Sequence, residues 1–418
     1  MRARAPVLGV VAALLAVSPT AAGAQNTPAA QQSVRNVLHK AMVHAGGASG
    51  AYVLDLTTGQ ALFSSAATVP RTPASVEKLY TTSTALLRFG PGATFTTSVL
   101  GTGSRGPHGT WLGTLYLRGG GDPTFGSASF DRDWYGGGTT IQRLVAALQR
   151  ATHINALKGR VIGDGTYFDS FPGTSESGFQ FDPYMEGSLS ALSFNRGLLG
   201  DGSVANPARY AAQQLVAALR DAHIRVPRGT LTGSGRTPVA ARLLAVLHSP
   251  TIAQLIALTN TPSDNFVAET LLKDLGAEFG GRGSTAAGAA IVRSELTSQF
   301  GIRPTLVDGS GLSRVDATTP TDVVTLLSKL ATNTDFVNSL AVGGESGTLS
   351  HEMQGTPAQD NCRGKTGTLS DVATLAGYCQ ALDGHTLVFA FLMNSIGDPN
   401  TGHAIEAGMA ADLARYDG

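Results

Sequence analysis

The sequence predicts an α/β layer fold whose two parts are separated by an inserted domain. Three observations predict it. The chain opens with a helix, a hairpin and a second helix, an order that suits a sheet covered by helices. It closes with two or three antiparallel strands and a terminal helix. Between these ends the texture changes, from about residue 94 to 248, to strands and helices of its own. At 418 residues the chain is long enough for two or three domains. The expected division is a leader at 1–24, two parts of one domain at 25–93 and 249–418, and the insertion at 94–248.

The leader has Arg2 and Arg4 ahead of an apolar run of 12 residues at 6–17. Ala22, Gly23 and Ala24 then fit a small-residue cleavage site, the pattern of a secretory signal. Twelve apolar residues are short for a bilayer, and no later run reaches the ~18 of a membrane span. Export to a periplasm or an extracellular wall is expected, with no transmembrane span in the mature chain. Basic and acidic residues number 30 each, so nothing points to a nucleic-acid partner.

Residues 25–45 carry a helical pattern through Val34, Leu38 and Met42. Residues 51–56 and 60–63 flank Thr57, Thr58 and Gly59, a hairpin signal. In 72–90, Pro73 precedes Val76, Leu79, Tyr80, Leu86 and Leu87 at helical spacing, and Gly90 and Pro91 stop the run. In the insertion, 94–100 and 110–118 read as strands. Gly101, Gly103 and Gly106 between them match G-x-G-x-x-G, but a strand follows instead of a helix, so a hairpin loop is expected and not a dinucleotide site. Helices are expected at 141–150 and 210–222, and strand edges at Val161-Ile162 and Tyr167-Phe168. After the insertion, helices are expected at 251–258, 266–275 (ending at Gly276), 286–300 and 321–330, the last opened by Pro320. Strands at 373–381 and 387–394 and a helix at 403–416 complete the chain.

Three short signals carry chemistry. Ser75 starts the second helix and Lys78 lies three residues on, so a hydroxyl and an amine share one helix face. A serine needs a base to become a nucleophile, and a lysine shielded from water can supply one. Ser263, Asp264 and Asn265 break two helices, and Lys365, Thr366 and Gly367 lie on a strand. In this order S-x-x-K, S-D-N and K-T-G mark penicillin-binding proteins and class A β-lactamases. Ser75 would form an acyl-enzyme, Lys78 take its proton, Ser263 relay that proton to the leaving amine, and Asn265 hold the substrate amide. Lys365 would offer a cation to a terminal carboxylate, Thr366 would lie beside it, and Gly367 would let substrate backbone approach. The N–H groups of Ser75 and Thr368 are the candidate oxyanion hole.

Together with 119–126, 188–197, 308–314 and 364–369, these motifs make the chain resemble the D-alanyl-D-alanine carboxypeptidase/endopeptidase family, the low-molecular-mass class C penicillin-binding proteins. The resemblance spans essentially the whole mature chain. It implies a serine β-lactamase/transpeptidase-like α/β sandwich with an antiparallel sheet, interrupted by an inserted domain. The gap from Ser75 to Ser263 is 188 positions, much longer than in class A β-lactamases. The family's nucleophile, base, S-x-N and K-T-G roles carry over to Ser75, Lys78, Ser263, Asn265, Lys365, Thr366 and Gly367. After Asn195 the chain passes almost directly to Pro207, where larger members carry a further subdomain. The implied substrates are peptidoglycan stem peptides, and β-lactams are the implied covalent inhibitors.

Other residues have plainer readings. Glu295 falls in a helical run and reads as a solvated face. His351-Glu352 lacks the second histidine of H-E-x-x-H, so neither metal nor cofactor is expected. Asp308 reads as fixing a turn. Cys362 lies three residues before Lys365, on the opposite strand face. A turn near 369–372 would set it opposite Cys379, with Cβ atoms about 4.5–5.5 Å apart, so a disulfide is expected. The alternatives are a β-lactamase-like hydrolase, disfavoured by the long insertion, and a non-catalytic wall-binding module, disfavoured because all the reactive residues are present.

Overall fold

The computed structural model describes residues 27–200 and 202–418; the expected leader at 1–24 lies outside the described residues. Helix α1 (Pro28–Ala45) buries Val34, Leu38 and Met42 along one stripe, and the Thr27 side chain accepts from Ala30 N at its start. Strands β1 (Gly50–Asp55) and β2 (Ala61–Ser65) form the hairpin. A 3-10 turn, Ala74–Glu77, then leads into α2 (Lys78–Phe89).

The middle of the chain holds β3 (Thr96–Arg105), β4 (Thr110–Gly119), α3 (Ala128–Trp134), α4 (Ile141–Thr152), β5 (Ala156–Asp164), β6 (Leu198–Leu199), β7 (Gly202–Ser203), α5 (Pro207–Asp221), β8 (Thr232–Ser234) and β9 (Arg242–His248). There follow α6 (Ile252–Asn260), α7 (Asn265–Phe279), α8 (Thr285–Glu295), α9 (Pro320–Leu330), α10 (Thr334–Asn338), β10 (Ala341–Val342), β11 (Cys362–Leu369), β12 (Val372–Gln380), β13 (Thr386–Asn394) and α11 (Pro399–Ala414).

The ends of the chain share one antiparallel sheet, ordered β10-β11-β12-β13-β1-β2. Both faces are covered, so β12 and β13 read as nearly unbroken apolar runs. Alternation sorts them. Leu375, Leu387, Phe389 and Phe391 face α1 and α11, while Ala376, Tyr378, Val388 and Ala390 face a core shared with α2 and α6–α9. Cys362 pairs in register with Cys379, and a disulfide joins them within the core on the α11 side. Closing this short loop stabilises the hairpin by about 3 kcal/mol in the chain-entropy model.

The middle of the chain builds a second, mixed sheet, β8-β5-β4-β3-β9. Its parallel pairs, β4 with β5 and β5 with β8, are joined through helices as parallel strands require. Leu115, Leu117 and Val161 pack with Leu144 and Leu148 of α4 and Leu215 and Leu219 of α5 in a separate core.

Four expectations differ from the structure. Gly101 and Gly103 lie inside β3, paired with Leu115 and Gly113, so the hairpin turns only at 106–109. Helix α7 does not end at Gly276 but runs on to Phe279. A Cβ at Gly276 would stand 2.7 Å from Gly288 N, so this glycine serves the close approach of α8 and not a cap. Tyr167 and Phe168 form no strand; Phe168 makes only an isolated bridge to Gly283. Glu295 is buried and pairs with Arg88 at 3.5 Å, so its helix face is not solvated.

Candidate active site

The site lies where the 3-10 turn, α7, the loop after α8 and strand β11 converge. The segment before Ser75 is clamped from several sides. Thr72 exchanges hydrogen bonds with the Asn394 side chain, giving at 2.8 Å and receiving at 3.0 Å. Thr374 Oγ1 donates to the Pro73 carbonyl at 2.7 Å. Ala74 stands in the left-handed region at φ 47°, a strained conformation for a residue with a Cβ, directly before Ser75. Gly367 lets β11 press against this turn. A Cβ there would lie 2.7 Å from Ser75 N and 2.8 Å from the Pro73 carbonyl oxygen. Glycine at this position brings the strand's backbone beside the Ser75 amide.

Lys78 is fully buried. Its Nζ lies 2.8 Å from Ser75 Oγ, 2.6 Å from Asn265 Oδ1 and 2.6 Å from the Ser310 carbonyl oxygen. Three acceptors match the three hydrogens of an ammonium; a neutral amine keeps two of them and turns its lone pair on the Ser75 hydroxyl. Burial lowers the Lys78 pKa to about 8, against the raising charges of Asp308, Asp264, Glu269 and Glu77. The arrangement therefore holds a serine hydroxyl against an amine that can be neutral near physiological pH.

The carbonyl of Ser310 is aimed by a buried set of carboxyl groups. Glu269 Oε1 accepts from Gly309 N at 2.7 Å and Ser310 N at 2.8 Å. Asp308 accepts from Gly311 N at 2.7 Å and Ser313 N at 2.8 Å, so it does fix the turn. Burial first, then the charge of Asp308, raises the Glu269 pKa to about 7. Glu77, fully buried, is pushed well above the carboxylate range by burial first and then by Asp316, Asp308 and Glu269.

Asp264 caps α7 by accepting from Val267 N at 2.9 Å. Asn265 follows it. Besides holding Lys78, Asn265 donates from Nδ2 to the Tyr184 carbonyl at 2.7 Å. Its amide thus orients the lysine. Ser263 is half-buried at φ 67°, hydrogen-bonds to no described residue and lines the same depression as Asp264 and Asn265.

Lys365 is buried completely, and its Nζ donates to the Thr366 carbonyl at 2.8 Å. Burial, then the charge of Lys78, holds its pKa well below the usual lysine range. It lies inside the wall of the cleft and not on its surface. Thr366 Oγ1 donates to Thr348 Oγ1 at 2.7 Å, and Thr368 is exposed.

Sequence reasoning assigned no chemistry to the middle of the chain, yet it reaches the site. Arg196 is fully buried and binds Asp264 and the Tyr135 hydroxyl, the latter at 2.6 Å. Its guanidinium lies 4.3 Å over the Trp134 ring and 5.2 Å from that of Phe266. The stretch 188–197, which contains Arg196, was a signal of family likeness only. Its partner Asp264 could not be read from spacing.

Comparison with known proteins gives a consistent picture. The sequence model of the D-Ala-D-Ala carboxypeptidase 3 (S13) family matches residues 30–182 and 183–416. A D-alanyl-D-alanine carboxypeptidase of an Actinomadura species is 28% identical over 89% of this chain and 82% of its own length. Carboxypeptidase DacB of Mycolicibacterium smegmatis is 30% identical over 85% of this chain and 78% of its own. The crystal structure of penicillin binding protein 4 from Haemophilus influenzae superposes with a TM-score of 0.76 at 20% identity, over 91% of this chain and 100% of that one. The same protein complexed with a novel β-lactam gives 0.72 at 20% identity, over 92% and 100%. At such identity these two structures speak for the fold.

Proposed function

We propose a working mechanism for this chain, which belongs to the D-Ala-D-Ala carboxypeptidase 3 (S13) family. It is a serine-type DD-carboxypeptidase and a penicillin-binding protein. Its substrates are peptidoglycan stem peptides ending in D-alanine. Ser75 Oγ attacks the carbonyl of the penultimate D-alanine while Lys78 takes the hydroxyl proton. The N–H groups of Ser75 and Thr368 receive the developing oxyanion. Ser263 passes a proton to the leaving amine, and terminal D-alanine departs. Water then hydrolyses the ester on Ser75, with Lys78 again as base. A peptide crosslink cut in the same way makes the enzyme an endopeptidase. Asn265 aligns Lys78 and the incoming amide, while Thr366 and Thr368 receive the terminal carboxylate. Lys365, buried behind them, supports the strand from inside the wall through its hydrogen bond to the Thr366 carbonyl.

The observation that carries this reading is the buried Lys78 amine 2.8 Å from Ser75 Oγ. A β-lactam presents the same kind of carbonyl and carboxylate, so it acylates Ser75. Glu295, paired with Arg88, has no place as a deacylating base, which favours a long-lived adduct over β-lactamase turnover. Arg2 and Arg4 ahead of the apolar run support export to the compartment that holds peptidoglycan. Among the described residues no helix is long and apolar enough to cross a membrane.

Stereochemistry tests the reading. A peptide ending in D-Ala-D-Ala is hydrolysed, and its L-Ala-L-Ala counterpart is left intact, as followed by release of free alanine. Equal hydrolysis of the two, or cleavage of the L,L peptide alone, would overturn it.

A further inference from the structure

We infer that His403 governs recognition of the substrate's terminal carboxylate by setting the hydrogen-bond polarity of the Thr368 hydroxyl. The inference rests on the DD-peptidase reading above. Thr366 and Thr368 share one face of β11, opposite to that of Lys365 and Gly367. Beside them lies a cavity of about 180 Å³, walled also by Glu352, Leu375, His403 and Glu406. His403 Nε2 stands 2.7 Å from Thr368 Oγ1, and His403 Nδ1 stands 2.9 Å from Glu406 Oε2. The His403 side chain is 17% exposed and that of Glu406 is 1% exposed. Lys365, buried with its Nζ on the Thr366 carbonyl, does not reach this face.

A hydroxyl has one proton to give. When His403 is neutral and donates from Nδ1 to an ionised Glu406, its Nε2 offers a lone pair. Thr368 then donates inward to His403 and shows only lone pairs to the cleft, which a carboxylate cannot use. When the His403–Glu406 pair gains one proton, Nε2 carries a hydrogen whether that proton rests on the ring or on the carboxyl. Thr368 then accepts from His403 and turns its own proton outward. The two groups titrate as one unit, so the added proton belongs to the pair.

The titratable groups facing His403 are Glu406 on its own helix and Glu352 from the segment before β11. Burial works against the imidazolium, but the Glu406 hydrogen bond and the charges of Glu406 and Glu352 outweigh it, and the His403 pKa is raised. Burial raises the Glu406 pKa to about 7, partly offset by His403. The pair therefore holds its extra proton in acid and loses it as pH rises. Affinity for a free carboxylate is high on the acid side and falls on the alkaline side.

The test measures kcat and KM from about pH 5.5 to about 9 for a peptide ending in D-Ala-D-Ala and for its C-terminal amide. In the wild type, KM for the free acid rises about tenfold across the titration, the value of one charge-assisted hydrogen bond, while KM for the amide stays flat. In His403→Gln, which cannot titrate, the rise disappears. Proton-coupled shifts of the His403 ring in 15N NMR follow the same midpoint as the wild-type KM. A flat KM for the free acid, an equal rise for the amide, or the same inflection in His403→Gln overturns the inference while leaving the DD-peptidase reading intact. No hydrolysis of either peptide, together with no labelled-penicillin adduct on Ser75, overturns that reading and this inference with it.

Discussion

Lys78 shows how one side chain can be both structural and reactive. Its three short contacts hold it as an ammonium, yet burial brings its pKa to about 8, where a free amine is within reach. A base must be unprotonated to act, so acylation by a chromogenic β-lactam should quicken about tenfold per pH unit below that value and level off above it. Lys78→Arg should lose acylation, because a guanidinium keeps its proton. Ser75→Ala with Lys78→Ala should be no worse than either alone, since nucleophile and base act as one unit. A pH-independent rate, or a covalent adduct on the Ser75→Ala protein, would refute these roles. The pairing of Ser75 with Lys78 is legible from their spacing, and Asn265 and Lys365 from the short motifs that hold them, but the burial of Lys365 away from the cleft surface is not. The Ser310 carbonyl on Lys78, and Glu269 that aims it, are not legible either, because these contacts exist only once α7 and the 308–311 turn have packed together.

At the scale of elements, most helices and strands follow from periodicity and from punctuation by proline and glycine. Gly276 misleads because a helix-stopping glycine and a helix-packing glycine look alike until α8 lies against it. The link between Arg196 and Asp264 spans 68 positions and carries no sequence signal at all. It nonetheless sets the start of α7. Asp264 caps that helix, and Asn265, the next residue, holds Lys78. Arg196→Met should keep much of the packing against Trp134 and Phe266 but leave Asp264 without its buried cation. Removing one partner of such a pair costs about 3–5 kcal/mol. The denaturation midpoint should fall, and the folded fraction should acylate more slowly because Asn265 is less well held. An unchanged midpoint together with an unchanged acylation rate would show that this contact does not position the loop.

At the scale of the whole molecule, the middle of the chain meets α7 across buried charge. Lys273 of α7 binds Asp169 at 2.7 Å and the Phe171 carbonyl at 2.9 Å. Beside it on α7, Asp274 packs against Gly121, and both its carboxyl oxygens lack a hydrogen-bond partner among the described residues. Burial, then the charges of Asp122 and Glu278, pushes its pKa well above the usual range, so the folded protein keeps a proton that the unfolded chain releases. A carboxyl group raised in this way contributes its stability below the unfolded pKa of about 3.9 and loses it as pH rises. Asp274→Asn replaces the protonated acid with a neutral group of nearly the same shape. The variant should match the wild type near pH 4 and exceed it increasingly toward pH 8, as read from thermal unfolding at both values. Both curves should show one cooperative transition, since buried polar contacts tie α7 to residues 121 and 169–171. A stability difference that does not change between the two pH values would mean that Asp274 is ionised in the folded protein and that the seam tolerates its charge.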